Sequence, residues 1–339
     1  MLEGVVPPDE RMPEGPFGDH FGHYSHPKPC PVLWVQTVTR RAHPVYLAAV
    51  VGKPPQEDRY IGNAVQEMLL PMIRLIHPEI RDLWAYYEAG FHSLAVASVT
   101  QRFGKEGMKA ALGLLGTGQM ALTKCVVLVD ADVDARDFSA VLRAVRDHFD
   151  PAQDFLLLPG VPFDTLDFTS FTLNLGSKMV LDATRNGGAP AATSGSVAES
   201  QVISLHPRIR RARLLEEALL AVQVDGEGRE VIQALVKAPA LAGIRLIAAV
   251  SPDVDLQDAE SLLWGLFTRF DPARDVTFTS SELRGACPPT KDFGGGAWPV
   301  HRGCLGIDAT FKSGYPDPVV MDPAVVKRVE SRWNQYWRS

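Results

Sequence analysis

Two carboxylates lie five positions apart in Glu14-Gly-Pro-Phe-Gly-Asp19-His20-Phe-Gly-His23-Tyr-Ser-His26, on a stretch broken by Gly15, Pro16 and Gly18. Such punctuation bends the backbone, so both acids can face one cavity. A carboxyl group in an apolar niche favours its protonated form and then serves as a general acid near neutral pH. Spacing alone leaves a second reading open, a polar surface loop with solvated acids. His20 follows Asp19 directly and would face the same hollow, or else cap the loop. The three histidines recur every third residue on a Gly-broken loop, a weak pattern for a metal site, and no metal ligand is assigned. Asp132, Asp134 and Asp137 resemble a cation cluster, but acids that follow a strand also cap the next helix.

The elements around these residues set the fold class. The first sixty residues are rich in Pro, Gly and His and include a strand-like run from Val45 to Gly52. Ile61, Val65, Met68, Leu69, Met72 and Ile76 then recur at helical spacing. Strand candidates Phe91–Val99, Cys125–Val129 and Asp154–Leu158 alternate with helical Lys105–Leu115 and Phe138–Phe149, which argues for an α/β layer with parallel pairings. Asn186-Gly-Gly-Ala-Pro-Ala-Ala-Thr-Ser-Gly-Ser has linker composition.

Beyond that linker the pattern repeats. Asp132, Asp134 and Asp137 pair with Asp253, Asp255 and Asp258. Val141, Leu142, Val145 and Phe149 pair with Leu262, Leu263, Leu266 and Phe270. Asp150-Pro-Ala-Gln-Asp pairs with Asp271-Pro-Ala-Arg-Asp, and Leu181-Asp-Ala-Thr with Ile307-Asp-Ala-Thr. Recurrence of apolar positions and turn residues in order implies a duplicated α/β unit. The predicted organisation is an incomplete β-rich part over 1–60, an α/β domain over 61–186, a linker over 187–200, a second copy over 201–312 and a helical tail over 313–339. Asp322 before Pro323 suits the start of that last helix.

The bulk numbers exclude several classes. Across 339 residues, 46% are apolar and 22% charged, ordinary for a globular chain. A net charge of −6 argues against nucleic acid as a partner. No apolar run reaches the ~20 residues of a membrane span. Four scattered cysteines, without CxxC spacing, fit a reduced, cytoplasmic setting.

In order along the chain, Glu14-Gly-Pro-Phe-Gly-Asp19, Gly52-Lys-Pro-Pro-Gln-Glu-Asp, Gly118-Gln-Met-Ala-Leu-Thr-Lys124, Val129-Asp-Ala-Asp-Val-Asp-Ala-Arg-Asp, Leu166-Asp-Phe and Leu175-Gly-Ser-Lys-Met-Val-Leu-Asp-Ala-Thr resemble the UbiD-type decarboxylases. The resemblance runs from residue 1 to about 186. Asp82-Leu-Trp, Glu88-Ala-Gly-Phe-His-Ser-Leu and Thr165-Leu-Asp-Phe-Thr look closest to the menaquinone-biosynthesis branch, which acts on a dihydroxynaphthoate. The resemblance implies the end of a split β-barrel followed by α/β units, α+β overall, and a non-oxidative decarboxylase of an aromatic or naphthoic acid that uses prenylated FMN with Mn2+ and K+. It implies Glu14 as proton donor, Asp19 as the acid that tunes it and Lys124 near the cofactor phosphate. His20 and Phe163 would line the substrate pocket. Core packing is the other reading of Phe163, and a solvated strand-edge lysine that of Lys124. Lys178 is expected to be structural. The second copy carries Arg245 where the first has Lys124, so residues 200–312 read as a structural or interface module, and Gly294-Gly-Gly reads as a loop.

The family's metal ligands, catalytic arginine and most cofactor loops lie N-terminal to the Glu14 segment. The expectation is therefore a fragment, half of a split enzyme or a related subunit, inactive without that N-terminal half. Expected partners are further copies of the chain or a companion chain carrying the missing half. The competing expectation is a non-catalytic oligomerisation subunit of a decarboxylase or carboxylase complex.

Overall fold

A computed structural model describes residues 1–46, 51–185, 197–285 and 297–336. The body of the expected Val45–Gly52 strand, the linker from Asn186 and the Gly294-Gly-Gly loop lie outside the described residues. The chain divides into two units, Met1–Glu57 with Pro316–Ser339, and Asp58–Tyr315.

In the first unit, β1 (Leu2–Val5) pairs antiparallel with β4 (Trp34–Val38), and β2 (Arg11–Glu14) pairs antiparallel with β3 (Lys28–Pro31). Both are two-stranded ribbons, and apolar residues such as Leu2, Met12, Trp34 and Val38 are exposed on them. Helix α9 (Pro323–Tyr336) starts as its sequence indicates: the Asp322 carboxylate accepts the Ala324 N–H at 2.7 Å, and Pro323 occupies the first helical position.

The second unit contains two five-stranded sheets of the same design. The first comprises β5 (Ile80–Ala85), β6 (Leu94–Val99), β7 (Cys125–Asp130), β8 (Phe155–Pro162) and β9 (Leu175–Asp182), in the order β5-β6-β7-β9-β8. The second comprises β10 (Ile209–Leu215), β11 (Leu219–Val224), β12 (Leu246–Val250), β13 (Val276–Gly285) and β14 (Ala297–Ala309), in the order β10-β11-β12-β14-β13. The three central strands of each sheet run parallel and the two edge strands antiparallel. Helices α1 (Asp58–Ile76), α2 (Glu106–Leu114), α3 (Phe138–His148) and α4 (Pro151–Asp154) accompany the first sheet. Helices α5 (Glu199–Ser204), α6 (Arg229–Leu235), α7 (Ala259–Phe267) and α8 (Pro272–Asp275) accompany the second. The duplication expected from the sequence is thus a duplicated topology.

The central strands are apolar on both faces because both faces are covered. Cys125, Val127 and Val129 of β7 enter a core shared with Leu246, Ala248 and Val250 of β12, together with the apolar faces of α3 and α7. The alternate residues Val126 and Leu128 enter a separate core under α2, and Ile247 and Ala249 enter one with α6. The two copies therefore meet through one continuous core. Their docking is reciprocal: α4 packs on β14, and α8 packs on β8 and β9.

Repeated acids hold the repeated turns. Asp137 and Asp258 cap α3 and α7 by accepting from Ala140 N and Glu260 N. Asp134 and Asp255 accept from the N–H groups of Arg136 and Gln257. Asp132 pairs with Arg185 at 2.8 Å, and Asp253 pairs bidentately with Arg269 at 2.7 and 2.8 Å.

Candidate functional site

The Glu14 segment forms a hairpin. Gly15 (φ 93°) and Gly22 (φ 73°) take left-handed conformations that a side chain would strain, and Gly18 bridges Tyr24. Ser25 N–H donates to the Phe17 carbonyl at 2.8 Å and Gly22 N–H to the Asp19 carbonyl at 2.9 Å. The returning segment pins the hairpin from outside: Tyr24 N–H donates to Asp317 O, and Val319 N–H to Gly22 O.

This geometry gives the two acids different surroundings. Asp19 is buried, and its carboxylate accepts the Phe21 N–H at 2.9 Å. Glu14 ends β2 opposite Lys28 and is exposed. Its carboxylate hydrogen-bonds the Cys30 thiol one step along the ribbon and holds that thiol above its ordinary value. His20 is half-buried with its ring 4.6 Å from that of Phe21. His23 is fully buried, with Nδ1 3.0 Å from the Phe21 carbonyl. The two acids therefore do not share the apolar niche expected from the sequence: Glu14 stands in solvent on the ribbon, and Asp19 is buried and bonded within its own turn.

A second constellation belongs to the Asp58–Tyr315 unit. The loop after β8 carries Asp164 and Asp167, and each spends one oxygen on a local turn: Asp164 accepts Leu166 N–H and Asp167 accepts Thr169 N–H. The remaining oxygens reach the first sheet. Asp164 binds His92 Nδ1, and Asp167 accepts from Lys124 Nζ at 2.9 Å. His92 and Lys124 are neighbours across the entries to β6 and β7, because Lys124 N–H donates to His92 O at 2.7 Å. The His92 side chain is about one-fifth exposed, and the carboxylate behind it fixes the ring orientation, as in a proton-transfer pair.

Lys124 has the opposite character. Its side chain is 0% exposed and that of Asp167 is 1% exposed. The ammonium lies 5.2 Å from the Phe270 ring of the second copy and 5.8 Å from that of Phe163. Phe163 is itself buried, wedged over Gly176, where an added Cβ would come within 2.7 Å of its ring. Lys178 is buried and donates to the Ala121 carbonyl, and burial pushes it down to about 8.

The sequence by itself points to Lys124 and Phe163 but not to His92, Asp164 or Asp167. The available signal is the Asp-x-x-Asp spacing, which lets two successive turns direct two carboxylates to adjacent strands.

The family model described as 3-octaprenyl-4-hydroxybenzoate carboxy-lyase C-terminal domain matches residues 59–183 and 198–309, and its Rift-related domain counterpart matches residues 1–54. An uncharacterised protein of Archaeoglobus fulgidus is 45% identical over 185 residues, covering 55% of this chain and 38% of the relative. A Chlamydia pneumoniae protein named as a 4-hydroxybenzoate decarboxylase subunit is 35% identical over 342 residues, covering 99% of this chain and 55% of the relative. The chain thus spans about half the length of the full-coverage relative. Among solved structures, the vanillic acid decarboxylase of Sedimentibacter hydroxybenzoicus in its closed form is 26% identical with a TM-score of 0.50, covering 58% of this chain and 41% of that one. Among the described residues, no helix is long and apolar enough to cross a membrane.

Proposed function

Because this chain belongs to the UbiD family of carboxy-lyases, we propose that it forms the acid-bearing part of a non-oxidative decarboxylase acting on an aromatic or naphthoic acid. The branch it resembles points to a dihydroxynaphthoate as substrate. What supports the reading is the match of both family domains along the chain, residues 1–54, 59–183 and 198–309, with Glu14 at the end of β2 as the candidate acid and Asp19 buried in the turn that follows. In the reaction, the bond between ring carbon and carboxylate breaks, CO2 leaves, and Glu14 delivers a proton to the vacated carbon. Asp19 and His20 shape and polarise the surroundings of that proton, and the His92–Asp164 pair is a second proton-transfer group on this chain.

In this family prenylated FMN supplies the electron sink. Lys124 does not fit the task of holding its phosphate, because the ammonium is enclosed and neutralised by Asp167. A phosphate would reach it only by dismantling that pair. Lys124 is instead a positioning residue that ties the Asp164–Asp167 loop to β7, and Phe163 packs in the interior beside it. Phosphate, Mn2+ and K+ contacts then fall to the remaining polypeptide of the Rift-related domain.

Lys124's enclosure also favours a second reading, a non-catalytic oligomerisation subunit of a decarboxylase or carboxylase complex. The test is co-expression with a polypeptide carrying the remaining Rift-related residues, in the presence of prenylated FMN, Mn2+ and K+, followed by CO2 release from aromatic acids. Glu14→Gln is expected to abolish release while the flavin absorbance persists. Full activity in that variant removes Glu14 from the mechanism, and indifference to both Glu14 and Asp19 selects the second reading.

A further inference from the structure

A cavity of about 540 Å³ lies beneath α1, between that helix, β5 and α2. This is within the size range of small-molecule sites, roughly 300–1,000 Å³. Its walls are mostly aliphatic or thioether groups, among them Leu69, Leu70, Ile73, Leu83, Leu114 and Met120, and no Phe, Tyr or Trp is among the described residues that line it. Such walls suit a flexible chain better than a flat ring, for which the His77 imidazole at one end is the sole ring among the lining residues.

Gln66, His77, Thr117 and Gln119 interrupt this surface, and two of them, Gln66 and His77, carry buried atoms without a partner. The Gln66 carbonyl accepts the Ala85 N–H at 2.6 Å, which fixes the amide and leaves Nε2 buried without a partner. His77 Nδ1 faces the buried Glu79 carboxylate at 3.7 Å, and Nε2 is buried without a partner. Lys109 lies 3.6 Å from the same carboxylate. Orphaned buried polar atoms cost about 1–3 kcal/mol each, so two on one cavity mark places where a ligand would bond. Ile73 O accepts the His77 N–H, so the helical rise continues to His77 and separates it from Gln66 by about 16 Å along the axis.

We propose that this cavity binds a linear aliphatic molecule with a hydrogen-bonding group at each end, an ω-hydroxy acid or its like. The amide donors of Gln66 require an acceptor such as a hydroxyl or carbonyl oxygen. The His77 end, with Lys109 and Glu79 behind it, takes the carboxylate at the unpartnered Nε2. The site shares no residue with the acid hairpin or the Lys124 cluster, so it is independent of the decarboxylase reading.

The test uses calorimetric titration of the full chain with 12-hydroxydodecanoic acid, dodecanoic acid and 6-hydroxyhexanoic acid. The first is expected to bind about tenfold more tightly than the second, from one added hydrogen bond to a buried group, and the short acid not measurably. Gln66→Leu should erase the difference between the two long probes while leaving dodecanoic acid bound. Leu70→Trp fills the cavity and should abolish both, whereas Met68→Ser, on the exposed side of α1, should change neither. Equal affinity of the two long probes, absence of binding, or affinity that survives Leu70→Trp in a folded variant would overturn the proposal.

Discussion

The Lys124–Asp167 pair is enclosed on all sides, and its energetics follow from that enclosure. Removing one partner strands the other charge in the interior, so Lys124→Met or Asp167→Leu alone should cost about 3–5 kcal/mol in urea unfolding. The double replacement should cost clearly less than either single one, and a cycle without coupling would show that the pair holds nothing. Glu88 makes a different prediction. Burial, followed by the nearby Glu260 carboxylate, pushes it up to about 6. Its value in the folded protein lies above that of the unfolded chain, so the protonated form adds stability below about pH 4.5, and this is lost as pH rises through 6. Glu88→Gln should therefore flatten the pH dependence between pH 4.5 and 7 and raise stability at pH 7, by up to about 2 kcal/mol, in denaturation followed by circular dichroism. Among the candidate residues, Glu14 and Asp19 are legible because glycine and proline announce a turn locally. His92, Asp164 and Asp167 are not. Their partners lie 72 and 43 positions away and are chosen by strand order, which no local pattern encodes.

At the scale of elements, helix caps and apolar periodicity carry the reading furthest. The duplicated acids are expected to cap helices, and Asp137 and Asp258 do so. The predicted strand at Phe91 begins instead at Leu94, because Gly90 and Phe91 take left-handed conformations in the preceding turn. Strand–helix alternation indicates parallel pairing, which holds where a helix crosses over; the edge strands β5 and β8 return without one and run antiparallel. The two short capped helices should also differ in cost. Asp150 caps α4 and accepts only a long bond from the Gln153 amide within that helix, whereas Asp271 caps α8 and also accepts both Ser177 N–H and its hydroxyl. Asp150→Ala should lower stability by about 1 kcal/mol and Asp271→Ala by a larger amount, read from denaturation midpoints. Gly176→Ala drives a methyl group into the Phe163 ring and should cost about 1–3 kcal/mol, with partial recovery when Phe163→Leu is added.

For the molecule, the central fact is that both copies close one core. Phe149 and Phe270 occupy equivalent positions, and each is fully buried there. Replacing either by alanine should lower the same single unfolding transition by about 3–5 kcal/mol, Phe270 more because it also lies against Lys124. Hydrogen exchange should then report equal opening free energies for β7 and β12, and two separable transitions would contradict the shared core. The fusion also has a consequence for how the unit can change. Two identical subunits around a dyad must carry every substitution twice, once on each side. A single chain that contains both sides is released from this rule. Lys124 can stand in one half and Arg245 in the other, Lys178 can have Cys304 as its counterpart, and Ser177 can answer to Gly303. One half is thereby free to specialise while its twin keeps the shape that holds it.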